Sequence, residues 1–208
     1  MDKKITIMTV LPEGIAIGLK NLVSLLGAVV LYVLTIWIPY LNVGTTIAMA
    51  TIPIELAKGK IINPLFIFDA KYRKYMGDFF ILMGLKSMAV SVAFMFMFIP
   101  GMILSLSWSL AVYILLDKNV SPLKALDMSN KATNGYKWTI FGVSFVIMLI
   151  VGILGGIFGL IPVVGTVLTI ILAICVTPIT LGCNTVIYKK LILEEGNDET
   201  ETDTVEEL

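Results

Sequence analysis

The sequence predicts an all-α fold: a polytopic membrane bundle of six transmembrane helices arranged as three hairpin repeats, with two cytoplasmic interfacial amphipathic helices. Three observations predict it. The chain of 208 residues is 58% hydrophobic and has mean hydropathy +0.95, against roughly 45–50% apolar residues in soluble domains. Apolar runs approach or exceed the roughly 20 helical residues that cross about 30 Å of hydrocarbon. Between them, charged segments return at a common spacing.

Six spans follow in chain order: Ile15 to Ile38, Tyr40 to Ala57, Phe79 to Ile99, Gly101 to Leu116, Trp138 to Leu160 and Val163 to Tyr188. Helix is expected because it satisfies every backbone polar group within its own segment, whereas a closed barrel would show alternating strands of about ten residues. The opening residues "MDKKITIMTVLPEG" lack the compact order of a cleavable signal peptide and are expected to be retained.

"NPLFIFDAKYRKYMG", from Asn63 to Gly77, aligns with "SPLKALDMSNKATNG", from Ser121 to Gly135, at an offset of 58 residues. The frame matches Pro64 with Pro122, Asp69 with Asp127, Gly77 with Gly135 and Gly84 with Gly142, the pattern expected of an internal duplication. Asn63 or Ser121 is placed to cap a helix opened by Pro, and Gly77 or Gly135 to stop it. These helices, over 63–76 and 121–134, are too short and charged to cross a bilayer. Their apolar sides, Leu65, Phe66, Phe68, Tyr72, Tyr75 and Met76 in one and Leu123, Leu126 and Ala132 in the other, place them in the interface plane. Asp69 and Asp127 each precede a base by four residues, the spacing of ordinary helix pairing.

The dipeptide Ile-Pro recurs at Ile38-Pro39, Ile99-Pro100 and Ile161-Pro162, each time between two apolar runs, and marks three tight turns. Charge orients the hairpins. Basic residues gather on the side away from those turns, which puts both termini in the cytoplasm by the positive-inside rule. Trp37 and Tyr40 would then anchor the outer interface, and Tyr136 and Trp138 the inner one.

Net charge is zero, but residues 194–208 hold eight of the fifteen acids and no base, leaving the preceding body with fifteen bases against seven acids. The membrane domain covers 1–192, and 193–208 is expected to be an acidic, disordered cytoplasmic tail. The basic body is expected to contact anionic lipid headgroups through Lys58, Lys60, Lys71, Arg73, Lys74, Lys118, Lys124, Lys131 and Lys137. A homo-oligomer or a membrane-protein partner is compatible with the pattern; nucleic acid is not expected.

Lys86 lies fourteen residues before Pro100, about 21 Å from the outer turn by helix rise. Such a cation must snorkel or pair, either at the cytoplasmic headgroups or in an intramembrane polar site with Ser87, Ser91 or Glu55. Ser105 and Ser109 share a face beside Trp108 and can bond across helices. Gly152 with Gly156, and Gly155 with Gly159, have the small-x3-small spacing of closely packed membrane helices.

No histidine occurs, which removes the commonest general base and metal ligand. Neither a phosphate-binding Gly-rich loop with Lys-Ser/Thr nor a Gly-x-Ser-x-Gly elbow is present. No enzymatic activity, cofactor or metal is expected. Cys175 and Cys183 both fall in the sixth span and are expected to pack rather than pair.

The stretch "IPGMILSLSWSLAVYILLDKNVSPLKALDMSNKATNGYKW", preceded by "KYRKYMGDFF", resembles the YciC-like bacterial membrane proteins and the related membrane domain of some glycerophosphodiester phosphodiesterases. The resemblance runs from about residue 14 to 192 and rests on the "PG", the apolar run ending in Asp117 and the "SP" to "NG" segment. It implies six transmembrane helices in a bacterial inner membrane and no established activity. Expected function follows: a non-enzymatic, membrane-organising or lipid- or partner-binding protein, with a transporter or lipid translocator as the alternative.

Overall fold

Apolar runs without strand-like alternation become helices throughout the computed structural model, which describes residues 5–161 and 164–194. Among these the fold is all-α: α1 Ile7–Lys20, α2 Leu22–Thr35, α3 Pro39–Ala57, α4 Met76–Phe96, α5 Phe98–Ser107, α6 Ala111–Lys118, α7 Pro122–Ala132, α8 Lys137–Gly159 and α9 Val164–Tyr188. A π-turn, Lys189–Leu193, continues α9. Lys3, Lys4, Pro162 and the acidic tail beyond Glu194 lie outside the described residues.

Four stretches are long and apolar enough to cross a membrane: 70–96, 98–118, 137–159 and 164–193. A fifth is possible only by joining α1 and α2, which meet at Asn21 with a bend of 78°. The continuous span expected over 15–38 is therefore broken. Asn21 explains the break locally: its side chain donates to the Ile17 carbonyl at 3.0 Å, competing with continuation of the helix.

The expected second span, α3, is not among the strongly apolar ones. Its Asn42, Thr45, Thr46, Thr51, Pro53 and Glu55 lower its hydropathy. Burial accounts for this composition: Thr45, Ile47, Ala48, Ile52 and Ile54 are all nearly inaccessible. Thr45 and Thr51 donate to carbonyls three residues back, at 3.0 and 2.7 Å. A helix surrounded by protein can carry hydroxyls that lipid would not tolerate. By contrast, only 11% of the most apolar windows of 70–96, 137–159 and 164–193 is buried inside the protein, leaving Phe80, Met88, Met148, Ile153 and Ile170 for lipid.

Proline and positive-φ residues punctuate the chain where backbone sterics require. Ile38 is extended and Pro39 opens α3, as expected for the first Ile-Pro. At the second, the turn lies at extended Met97, and Pro100 falls inside the first turns of α5. Gly59, Asn119 and Gly135 have φ of 74°, 49° and 82° and follow α3, α6 and α7; Gly and Asn enter this left-handed region at least cost.

The two repeat segments fold differently. Over 121–134 the expected helix forms as α7 and ends before Gly135, although Ser121 makes no side-chain cap bond and Leu123 is exposed. Over 63–76 there is no three-turn α-helix but two short 3₁₀ turns, Pro64–Phe68 and Ala70–Tyr75. Asn63 does accept from Leu65 N–H at 3.1 Å, but Asp69 restarts the backbone, accepting from Lys71 N–H at 3.0 Å. That backbone bond holds the Asp69 carboxyl below its ordinary range. Asp69 consequently pairs with Lys71 at 3.0 Å rather than with Arg73. Gly77 is not a stop, because α4 already begins at Met76.

Side-chain contacts also fix what this segment packs against. Ser24 of α2 bonds the Ile62 carbonyl, Ile67 and Tyr72 are buried, and the Arg73 guanidinium lies 5.3 Å from the centre of the Tyr40 ring. Tyr40 and Arg73, expected at opposite interfaces, are in contact. The segment therefore packs along α3.

Helices α1 and α9 pack antiparallel at backbone distance. A Cβ on Gly14 would lie 2.6 Å from Cys183 Sγ, and one on Gly18 would lie 2.7 Å from the Pro178 carbonyl oxygen. Glu13 pairs with Lys190 at 2.7 Å at one end of the same contact. The small-x3-small glycines of α8 behave otherwise: Cβ atoms on Gly152, Gly156 or Gly159 would meet nothing within 4 Å, and one on Gly155 only Thr169 Cγ2 at 4.0 Å.

Candidate functional site at the α5–α6 break

The apolar run 98–118 is interrupted at Trp108–Leu110, between α5 and α6, without proline or glycine at the break. The backbone groups released there must find other partners. Ser129 and Thr133, one turn apart on α7 and both fully buried, supply them. The Ser107 carbonyl accepts from Ser129 Oγ at 2.7 Å and from Thr133 Oγ1 at 3.2 Å. Leu110 N–H donates back to the same Ser129 oxygen at 3.2 Å. One hydroxyl thus uses both its donor and its acceptor capacity to bridge the gap.

Lys86 of α4 supplies the third partner, donating from Nζ to the Trp108 carbonyl at 2.9 Å. Beside it lies a cavity of ≈ 410 Å³. Lys86, Ser105, Ser109, Tyr113, Ser144 and Asn184 form its polar wall, together with apolar residues from α5, α6, α8 and α9, and no carboxylate lines it. Ser109 Oγ is buried and has no hydrogen-bond partner among the described residues. Five helices therefore converge on one cationic, hydroxyl-rich space.

The expected grouping of Lys86 with Ser87, Ser91 and Glu55 forms only in part. Ser87 and Ser91 share a separate shallow groove of ≈ 210 Å³ with Lys86. Glu55 lies elsewhere, paired with Lys60 at 2.7 Å. Ser105 and Ser109 share a face in the sequence, but Ser144 and Asn184 give no local signal: α8 also carries Thr139 and α9 five threonines, so neither stands out.

The expected headgroup cations divide into two sets. Lys58 pairs with Asp117, Lys60 with Glu55, Lys71 with Asp69, and Lys131 with Asp127 at 2.6 Å. Lys137 reaches Asn130 Oδ1 at 3.4 Å, and Arg73 covers Tyr40. Lys74, Lys118 and Lys124 are exposed, with no carboxylate partner among the described residues; Lys74 extends over the Tyr75 ring at 5.9 Å.

Asp117, recognised in sequence only as the end of an apolar run, is a junction. Its carboxylate pairs with Lys58 through one oxygen and accepts from the fully buried Tyr188 hydroxyl at 2.6 Å through the other. This joins the C-terminal ends of α3, α6 and α9. A second cavity, ≈ 380 Å³, runs from this junction past Glu55 and Thr51 to Lys71, Tyr72 and Lys74.

No family model, curated protein or solved structure matches this chain.

Proposed function

We propose that this chain is a non-enzymatic integral membrane protein that binds anionic lipid through its basic side. The carrying observation is that exposed Lys74, Lys118 and Lys124 lack carboxylate partners among the described residues, while Lys58, Lys60, Lys71, Lys131 and Lys190 pair with carboxylates of the chain. Each unneutralised Lys near an anionic surface contributes about 1 kcal/mol. Changing all three to Gln should therefore weaken association with phosphatidylglycerol by up to about 100-fold, with the bundle still folded. Retention is read by native mass spectrometry, and added salt should weaken the parent in the same direction. A triple variant that holds phosphatidylglycerol as tightly as the parent at low salt would remove the reading.

Six crossings are part of this reading: α1–α2 as one broken crossing, α3, α4, α5–α6, α8 and α9, arranged as three hairpins. The clustering of basic residues and the resemblance to the YciC-like proteins support a bacterial inner membrane with both termini cytoplasmic. In a background lacking Cys175 and Cys183, a cysteine at Leu160 should label from outside intact cells and one at Lys124 should not. The reverse pattern would invert the topology.

A translocator is the second reading, favoured by the broken helix and the cavity that opens at it, since interrupted helices line transport sites in many transporters. Flux of lipid or solute in proteoliposomes above protein-free vesicles, lost on changing Lys86, would select it over static binding.

A further inference from the structure

A cation far from the ends of its helix raises a specific question of charge. Lys86 lies eleven residues into α4, and the level of its cavity on α8 is set by Ser144, six residues past Trp138, or about 9 Å along the helix. The Trp108 carbonyl accepts one of its three ammonium protons and provides a dipole, not a counter-charge. No carboxylate lines the cavity. Burial of an ammonium without an opposite charge is costly, so an intramembrane lysine calls for an anionic partner.

We infer that this partner is a phosphate oxyanion received in the α5–α6 cavity, with Lys86 supplying the charge and Ser109, Ser105, Ser144 and Asn184 supplying hydrogen-bond donors. Three further features support the inference independently of the basic outer residues. Ser109 Oγ is a buried polar atom without a partner and lines this same space; an unmade bond of that kind is disfavoured unless something occupies the site. The polar wall offers hydroxyls, an amide and an ammonium, a donor-rich set that suits a group with only acceptors. At ≈ 410 Å³ the space is within the ordinary range for small-ligand sites, large enough for a phosphate group with its ester linkage.

Ser129 and Thr133 serve this site indirectly. By satisfying Ser107 and Leu110 they hold the break open, leaving Ser105 and Ser109 to line the space. They position the site, whereas Lys86 and Ser109 would touch the ligand.

The same chemistry can come from a phosphodiester lipid headgroup or from free phosphate, and the test separates them. The full chain is purified in nanodiscs of phosphatidylglycerol or of phosphatidylcholine, and bound lipid and thermal stability are compared for the parent, Lys86→Gln, Lys86→Arg and Ser109→Ala. Gln can still donate to the Trp108 carbonyl but carries no charge. Loss of a charge-assisted bond should lower phosphatidylglycerol retention in Lys86→Gln by about tenfold or more. Lys86→Arg should keep most of it, and Ser109→Ala should lose a few-fold.

In a second arm, inorganic phosphate is titrated onto the protein in phosphatidylcholine nanodiscs. Stabilisation by phosphate that disappears in Lys86→Gln assigns the site to free phosphate; retention of phosphatidylglycerol that depends on Lys86, without a phosphate response, assigns it to lipid. If Lys86→Gln does not fold, Ser109→Ala decides, since removing one unpartnered hydroxyl from the cavity wall breaks no hydrogen bond of the fold. A parent that distinguishes neither anion, or variants that bind both as the parent does, overturn the inference. The outer-lysine triple variant is carried alongside: its effect and that of Lys86→Gln are separate losses, so either reading can fail alone.

Discussion

Replacing Asp117 by Ala is expected to destabilise the bundle by roughly 2–3 kcal/mol, the cost of leaving a buried hydrogen-bonding group without its partner together with loss of the ion pair. Most of that cost falls at Tyr188, whose hydroxyl would be left within a fully buried residue. Lys58 contributes less, because its side chain is 37% exposed and can turn to water. Asp117→Asn should cost less than Asp117→Ala, since the amide oxygen can still accept from Tyr188. Tyr188→Phe should cost about 1–2 kcal/mol, leaving the Lys58 pair in place. Thermal or denaturant unfolding of the purified protein in one detergent would rank them. An alanine variant as stable as the parent would show that the junction does not hold the three helix ends together.

The second large effect is expected at the α1–α9 crossing. A Cβ on Gly182 would run into the Gly14 carbonyl oxygen, with its carbon 3.0 Å away. Backbone cannot move aside as a flexible side chain can, so Gly182→Val should cost at least about 3 kcal/mol, the upper end of ordinary overpacking, or prevent accumulation of folded protein. Gly14→Leu meets Cys183 in the same way. Gly152→Leu and Gly156→Leu are the contrast: with nothing within 4 Å of either Cβ, both should change stability by no more than about 0.5 kcal/mol. Equally large losses in the two sets would mean that the α8 glycines also face a neighbour, such as a second copy of the chain; equally small losses would overturn the α1–α9 close approach.

That contrast shows where sequence reading stops. Gly14-x3-Gly18 has the same spacing as the α8 pairs, and spacing alone could not say which set meets a neighbour. Helix packing depends on what lies opposite, here Gly182 and Cys183, more than 160 residues along the chain.

The same division holds for the candidate site. Lys86 was legible because a cation in a long apolar run violates local composition, and Ser105 with Ser109 because two hydroxyls one turn apart share a face. Ser129 and Thr133 were not, since in a charged segment such as 121–134 they look like solvated residues. Their role comes from α6 turning at Asn119 so that α7 packs back against the break. The charged partners of the basic residues were equally hidden where they are remote: Lys58 and Asp117 are 59 residues apart, and Glu13 and Lys190 are 177 apart.

By itself the sequence determined the all-α class, three strongly apolar stretches, read as 79–99, 138–160 and 163–188 and found as helices over 76–96, 137–159 and 164–188, and the sites of Pro39, Asn63, Pro122 and Gly135 at element ends, because chain hydropathy and backbone sterics act within a few residues. Tertiary structure alone decided that α1 and α2 bend, that α3 is the buried helix, that 63–76 folds as 3₁₀ turns along it and that 98–118 breaks over a cationic cavity. Each of these depends on which distant side chains satisfy backbone groups released from a helix, or fill the space beside it, and that choice is made only when the helices meet.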